Sequence, residues 1–491
     1  MAEVIAPEVA EAGTEESRFL FRRIGDVCLT PETELEGDEV PPHACLLAVS
    51  NKFGVTFFAD TRGFYGGRTS YLLAKAAEMA NIPDTEEPML QAGPDMFVHA
   101  LPGVSGLHLS PCEEMLAVVA DSTLQVFYVH DLIERKDAAA PAVPAAPAAG
   151  PAGLSSFQWR PGGSREFLTL STEGELRVCT VGSPHPPPAL AGVTAAGWSP
   201  SGRHLAYAAK GGVHVAAAEG LATAFTVAYP GLLLEAEGWV DTVTWAGDSS
   251  IVVAGVEPAT EEMEAEGEGE EIAMVFIVSW ATWGGIGAPE AVQVHEVVDA
   301  GDCLFASAGP AKSGPYLYTS WLPEWSALIM VHRRAGDEHV GLVSCAGGAP
   351  TWQTMADDRY KARIPLTKGD EDNYVVGLAI DRSKNAIEVI DPRGGRDLPP
   401  CPVLLAVTTD GKLRASSFGD VKGEWQTARP VLAAPQPLPV PTRAPTPAAP
   451  PAAPAAPKAG GFPAAFLQAA AKNAAAATAA AAAEVEAAKA G

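Results

Sequence analysis

The sequence predicts an all-β protein, a seven-bladed β-propeller, on the basis of period, strand pattern and the lack of alternating helices. A unit of roughly 40 to 60 residues recurs between Leu46 and Phe418. Each unit has short apolar runs separated by tight polar turns, as in Val104–Leu132 and Val193–Glu219. Because a single blade cannot bury both of its faces, neighbouring blades must pack against one another around a ring.

Seven blade starts follow from this pattern, at Leu46, Val104, Leu154, Val193, Val240, Pro315 and Tyr374. In the first blade, Asn51-Lys52 is predicted to form a hairpin turn, and in the last blade Asp410-Gly411 does so. Between the first and second blades, Tyr71–Asn81 is predicted to form a short helix that ends before Pro83.

The flanking segments differ from the ring in composition. Residues 1–17 are acidic and are expected to be disordered, and residues 18–429 form the propeller. Residues 430–460 form a Pro/Ala-rich linker, which cannot build a sheet because proline lacks an amide donor. Residues 461–491 are predicted to form an alanine-rich helix.

Two low-complexity segments interrupt the ring itself. Asp137–Gly153 is rich in proline and alanine and is expected to be an extended linker between blades. Glu257–Glu271 contains eight glutamates and no basic residue, and it joins two strands of one blade. It is either a solvated loop or an acidic patch that faces a partner.

Composition excludes several function classes. The formal net charge is −27, so the protein repels phosphate backbones and anionic lipid, and its natural partner is a basic protein surface. The sequence has neither an apolar run that would span a membrane nor a secretory presequence, which predicts synthesis in the cytosol and no membrane insertion. The seven cysteines are widely spaced, as is typical of reduced thiols in a core.

The sequence contains no catalytic constellation. The run Gly197–Gly202 has the wrong glycine spacing for a nucleophile elbow and fits a blade turn better. The histidines are dispersed without a metal-binding spacing, and Gly284–Gly287 lacks the Lys-Ser/Thr of a phosphate loop. We therefore expect no catalytic residues, no metal and no cofactor, and a protein that is not an enzyme.

Several segments together resemble a known family. They are RRIGDVCL, LLAVSNKFGVTFFAD, GLHLSPCEEMLAVV, PYLYTSWLPEWSALIMV, RIPLTKGDEDNYVVGLAID and LPPCPVLLAVTTDGKL. In order and spacing they are similar to the N-terminal propeller of the cytoplasmic-face nucleoporin that docks the DEAD-box mRNA-export helicase. The resemblance covers roughly residues 18–418. It implies a nuclear pore component that recruits this helicase for mRNA export, with other nucleoporins as partners and no direct contact with nucleic acid.

The resemblance also implies a binding site. In that family the helicase contact is built largely around the loop between the sixth and seventh blades. The matching positions with charged side chains are Lys361, Arg363, Lys368, Asp370, Glu371 and Asp372. An acidic surface could bind the basic groups with which a helicase holds RNA. The propeller and RNA should therefore compete for the helicase.

Two other function classes compete with this one. A hydrolase or lyase at the central channel would need a convergent set of catalytic residues, which the sequence lacks. A generic propeller scaffold of another assembly, such as a vesicle coat, remains the alternative. The family's long Phe-Gly repeat regions are not present in this sequence, where Phe-Gly occurs only at Phe53-Gly54 and Phe418-Gly419.

Overall fold

The structure is a computed structural model that describes residues 3–420 with internal gaps. The gaps are residues 30–43, 61, 81–89, 91–94, 122, 136–138, 148–152, 164, 184–187, 232, 234–237, 258–271, 299–316, 333–339, 347–348, 356, 368, 370–372, 384–388, 391–396 and 399–400. The linker and the helix predicted for residues 430–460 and 461–491, and the acidic segment that follows Glu257, lie outside the described residues.

Seven antiparallel sheets follow one another along the chain, which confirms the predicted propeller. The N-terminal strands are β1 (Glu3–Ile5), β2 (Val9–Glu11), β3 (Gly13–Glu16) and β4 (Phe19–Cys28). The first blade has β5 (Leu47–Ser50), β6 (Val55–Asp60), β7 (Gly63–Arg68), helix α1 (Thr69–Met79) and β8 (Met96–Ala100). The second has β9 (Val104–Leu109), β10 (Met115–Ala120), β11 (Thr123–Tyr128), helix α2 (Val129–Arg135) and β12 (Val143–Pro147).

The third, fourth and fifth blades follow in chain order. Blade three has β13 (Leu154–Trp159), β14 (Glu166–Ser171), β15 (Leu176–Thr180) and β16 (Ala189–Leu190). Blade four has β17 (Val193–Trp198), β18 (His204–Ala209), β19 (Gly212–Ala217) and β20 (Thr223–Ala228). Blade five has β21 (Trp239–Trp245), β22 (Ser250–Glu257), β23 (Ile272–Ser279) and β24 (Gln293–Glu296).

The last two blades complete the ring. Blade six has β25 (Leu317–Leu322), β26 (Ala327–His332), β27 (Val340–Ser344) and β28 (Thr351–Thr354), and a 3-10 helix at Asp358–Tyr360 follows it. Blade seven has β29 (Val375–Asp381), the small pair β30 (Val389–Ile390) and β31 (Asp397–Leu398), then β32 (Val403–Thr408) and β33 (Lys412–Asp420). The observed blade starts lie within two residues of the predicted ones.

The ring closes where the N-terminal strand β4 pairs antiparallel with β33 over its whole length. The seam is apolar at one end, where Phe21 stacks on Phe418 with ring centroids 4.6 Å apart. Helix α1 packs against β4 so closely that a side chain at Gly25 would collide with the carbonyl of Ala76. Blade seven is therefore held by both ends of the propeller chain.

The prediction of disorder for residues 1–17 is wrong for the part that the structure describes. There, β1, β2 and β3 each pair in parallel with the outermost strand of blades four, five and six respectively. Composition does not indicate this placement, because the segment is acidic and gains its order from main-chain hydrogen bonds to strands that are distant in the chain.

The Pro/Ala segment of the second blade also differs from its prediction. Within the expected linker Asp137–Gly153, Val143–Pro147 forms the fourth strand of that blade and pairs with β11. An outermost strand uses only one of its edges for pairing, and for that reason it tolerates proline. Part of a segment whose composition predicts a linker therefore forms a strand of the second blade.

Candidate functional site

The loop between the sixth and seventh blades occupies residues 355–374, between β28 and β29. Strands alternate in direction within each blade, so a loop between blades emerges on the same face of the ring as the turns between second and third strands. We call this the upper face. The turn at Asp410-Gly411 in blade seven lies on it, with Gly411 in the left-handed region at φ 73°.

Two apolar side chains fix the loop to the ring. Tyr360 is buried against Leu20 and Cys401. Ile364 is buried in a cluster with Val331, Val375 and Ala406, which belong to blades six and seven. Burial of each such side chain contributes about 1.5–3 kcal/mol, so the loop has a defined path over the blade junction.

Asn373 fixes the C-terminal end of the loop and is 1% exposed. Its Nδ2 donates to the carbonyl of Pro365 at 3.1 Å, and its Oδ1 accepts from Thr409 Oγ1 at 3.0 Å. The same oxygen accepts from the backbone amide of Asp410 at 3.3 Å. One buried amide thus ties the loop to the neighbouring turn on the upper face.

The described charges of the loop form ion pairs around two aspartates. Asp358 lies 3.2 Å from Lys361 Nζ and 3.1 Å from a guanidinium nitrogen of Arg363. Asp357 lies 2.6 Å from the guanidinium of Arg359, and this hydrogen bond raises the pKa of the arginine. These five groups, two acidic and three basic, lie at the surface, where such pairs are weak and readily exchanged for a partner's charges.

Of the predicted site residues, the structure places Lys361 and Arg363 together on Asp358. Lys368, Asp370, Glu371 and Asp372 lie outside the described residues, so their roles remain predictions. Sequence reasoning missed Asp357, Asp358 and Arg359, although the charged run DDRYKAR was a visible signal. It also missed Leu366, which is 45% exposed beside Pro365 and gives the loop an apolar surface.

A cavity of about 170 Å³ lies at the central channel. Its lining comes from the inner strands of several blades and includes Cys45, His108, Ser155, Thr194, Asp241 and Tyr318. Burial raises the pKa of Cys45 to about 11, which keeps the thiol protonated and a poor nucleophile. Among the described residues no group of His, Cys, Asp and Glu side chains could hold a metal ion.

No helix in the described part of the chain is long and apolar enough to cross a membrane. The fold and the loop define the class as a seven-bladed β-propeller that offers a structured, charged loop at a blade junction as a binding surface. No protein-family model matches the chain.

Comparison with known proteins confirms the family resemblance. The chain is 24% identical over 410 residues to the human nuclear pore complex protein Nup214. This alignment covers 80% of the chain and 18% of Nup214. The chain is 27% identical over 127 residues to nuclear pore complex protein 14 of Caenorhabditis elegans, covering 26% of the chain and 8% of that protein. The chain is therefore homologous to the Nup214 nucleoporins, and it spans less than a fifth of the length of human Nup214.

Solved structures share the fold at low identity. The N-terminal domain of Nup159 superposes with a TM-score of 0.60 and 14% identity, covering 85% of this chain and 100% of that domain. A chain in a Saccharomyces cerevisiae complex of Dbp5 bound to Nup159, Gle1, IP6 and ADP gives a TM-score of 0.61 at 14% identity, covering 85% and 99%. These relatives are nuclear pore proteins, and none is named for an enzymatic reaction.

Proposed function

We propose that this propeller is a nuclear pore component that binds a DEAD-box RNA helicase and recruits it to the cytoplasmic face of the pore for mRNA export. The similarity to Nup214 along 80% of the chain carries the proposal. The presence of Nup159 together with Dbp5 in a solved complex supports a helicase as the partner. Other nucleoporins would hold the propeller in the pore.

The loop between the sixth and seventh blades is the proposed contact. The described part of its backbone is held by Tyr360, Ile364 and Asn373, which reduces the conformational entropy that this part loses when a partner binds. Leu366 offers apolar area at its centre, and the ion-paired charges around Asp358 offer a rim. This arrangement of apolar centre and charged rim is typical of protein–protein interfaces.

Charge explains how binding could be coupled to RNA release. A helicase holds RNA phosphates with basic groups, and a protein of net charge −27 attracts the same groups. Asp370, Glu371 and Asp372 follow Lys361 and Arg363 in the sequence of the same loop and would supply carboxylates for these basic groups of the helicase. The propeller and RNA would then bind the helicase in mutually exclusive ways.

A direct binding experiment tests this proposal. Purified DEAD-box mRNA-export helicase is titrated into the propeller at low and at moderate salt, with and without single-stranded RNA. We expect binding that weakens steeply with salt, because exposed charges are screened within about 10 Å at 0.1 M ionic strength. We also expect RNA to compete. Absence of helicase binding would instead favour a scaffold of another assembly, and binding indifferent to salt and RNA would contradict the electrostatic mechanism.

A further inference from the structure

Residues 3–16, which we call the strap, cross the outer edges of three consecutive blades. Each of its three strands adds in parallel to an outermost strand, with Val4 opposite Thr226, Ala10 opposite His295 and Trp352 opposite Thr14. Between the blades, the amide of Ala12 donates to the carbonyl of Glu296 at 2.7 Å. The strap therefore fills a continuous groove that recognises an extended main chain.

The strap is held by few side chains. Ala12 is its buried apolar anchor, 7% exposed in the cluster between blades five and six. Ile5 and Val9 are partly buried, whereas Val4 is 65% exposed and the residues of β3 are exposed along the whole strand. Main-chain pairing with so little apolar burial leaves a segment that another strand can replace.

Glu15 fits the groove, since its Oε1 accepts from Gln353 Nε2 at 2.7 Å and from Thr351 Oγ1 at 3.3 Å. The charge of the rest of the strap suits the groove poorly. The strap contains five glutamates and no basic residue, on a protein of net charge −27. Glu11 lies directly opposite Glu296 in the parallel register, and like charges in that position destabilise pairing. In the outer strands β20, β24 and β28, the only ionisable side chains are those of Glu296 and His295. An occupant of opposite charge would fit better.

We propose that the outer edges of blades four, five and six form a second binding groove, for an extended basic segment of a partner protein, and that the strap covers this groove when the partner is absent. The basic segment would add as three short parallel strands in the register of β1, β2 and β3. This surface is separate from the loop between blades six and seven, so the proposal does not depend on helicase binding.

The test uses a labelled peptide with the sequence of residues 3–16 in which each glutamate except Glu15 is replaced by lysine, because Glu15 accepts hydrogen bonds from Thr351 and Gln353. It keeps the apolar positions and hence the register, but reverses the charge. It is titrated into the full chain, into Ala12→Asp, which places a carboxylate in the apolar anchor site, and into Ala10→Asp, an exposed position of the same strap. A scrambled peptide of the same composition controls for general attraction to the acidic surface.

We expect the peptide to bind Ala12→Asp at least about tenfold more tightly than Ala10→Asp, because a tethered strap competes at millimolar effective concentration. The scrambled peptide should bind all three proteins weakly and equally. Equal affinity of the ordered peptide for both variants, or equal affinity of the ordered and scrambled peptides, would overturn the proposal. So would an Ala12→Asp variant that dimerises by exchanging straps and excludes the peptide.

The unmodified chain provides a second measurement, which remains informative if Ala12→Asp folds poorly. The backbone amides of Ala12 and Ser17 donate to the carbonyls of Glu296 and Thr354, so hydrogen exchange reports on the strap. A saturating concentration of the lysine peptide should speed exchange at both amides while the amides of the ring stay protected. Unchanged exchange at Ala12 and Ser17 would show that the strap is not displaced and would contradict the proposal.

Discussion

The guanidinium of Arg414 donates to Asp26 Oδ2 at 2.8 Å, across a sequence separation of 388 residues. The two side chains lie on β33 and β4, the strands whose pairing closes the ring. Arg414 also binds Asp410 at 2.5 Å and Thr408 Oγ1 at 3.2 Å. One buried cation thus connects the closing seam to the upper-face turn beside the proposed helicase site.

Substitution of Arg414 by alanine should strongly destabilise the ring. It leaves the carboxylate of Asp410 without its cation and that of Asp26 with only the more exposed Arg23, 2.9 Å away, and loss of one partner from a buried pair costs about 3–5 kcal/mol. Chemical denaturation measures the free energy of unfolding. Arg177→Ala is the control, because its pair with Glu175 is a third exposed and should change stability by less than about 1 kcal/mol. Similar losses in both variants would contradict a role in ring closure.

Asn373→Ala should loosen the loop while leaving the ring folded. The substitution removes hydrogen bonds to Pro365, Thr409 and Asp410, at a cost of about 1–3 kcal/mol. We expect faster hydrogen exchange at the Asp410 amide and weaker helicase binding. The exposed Gln293→Ala serves as the control and should change neither quantity. Protection of Asp410 that survives the substitution would remove Asn373 as the loop anchor.

Reversal of both described cations, in Lys361→Glu with Arg363→Glu, should speed helicase association, because it releases Asp358 and adds negative charge opposite a basic partner surface. These groups lie at the rim of the proposed interface, where charge governs the association rate more than the dissociation rate. We expect an association rate higher by about tenfold in stopped-flow measurements at low salt. The pair Arg177→Glu with Arg203→Glu changes the net charge equally on other blades. If that pair sped association as much, the effect would come from overall charge and not from the loop.

The ring should lose stability as the pH falls below about 6.5, the usual pKa of histidine. Burial lowers the pKa of His204 and of His214, because it disfavours the charged ring. In that range the unfolded chain takes up protons that the folded chain does not, so the free energy of unfolding decreases. His204→Gln with His214→Gln should reduce the difference in stability between pH 7.5 and pH 5.5. An unchanged difference would assign the pH dependence to other groups.

Much of the fold followed from sequence because each blade repeats a local pattern. The starts of blades two, three and four were predicted at the residues where the structure has them, and helix α1 lies within two residues of its prediction. The strap and strand β12 were not predicted. Their residues are acidic or rich in proline, and their order depends on edges contributed by other parts of the chain.

The position of the candidate site stays a prediction, and the structure adds detail that the sequence did not indicate. The loop between blades six and seven came from the family resemblance, and Lys361 and Arg363 do lie on it. The pairing of both cations with Asp358, and the anchoring by Asn373, depend on how the chain folds back onto the turn at Asp410. Local sequence does not encode that contact, so it could not be foreseen.

The most direct test of the central claim is the affinity of the DEAD-box helicase for a propeller with Asp370→Lys, Glu371→Lys and Asp372→Lys. The control protein has Glu173→Lys, Glu219→Lys and Asp248→Lys, exposed acids on blades three, four and five with the same total change of charge. Loss of about tenfold or more in affinity for the loop variant alone is the predicted result. Equal affinities of the two variants would contradict the assignment of the helicase site to the loop between blades six and seven.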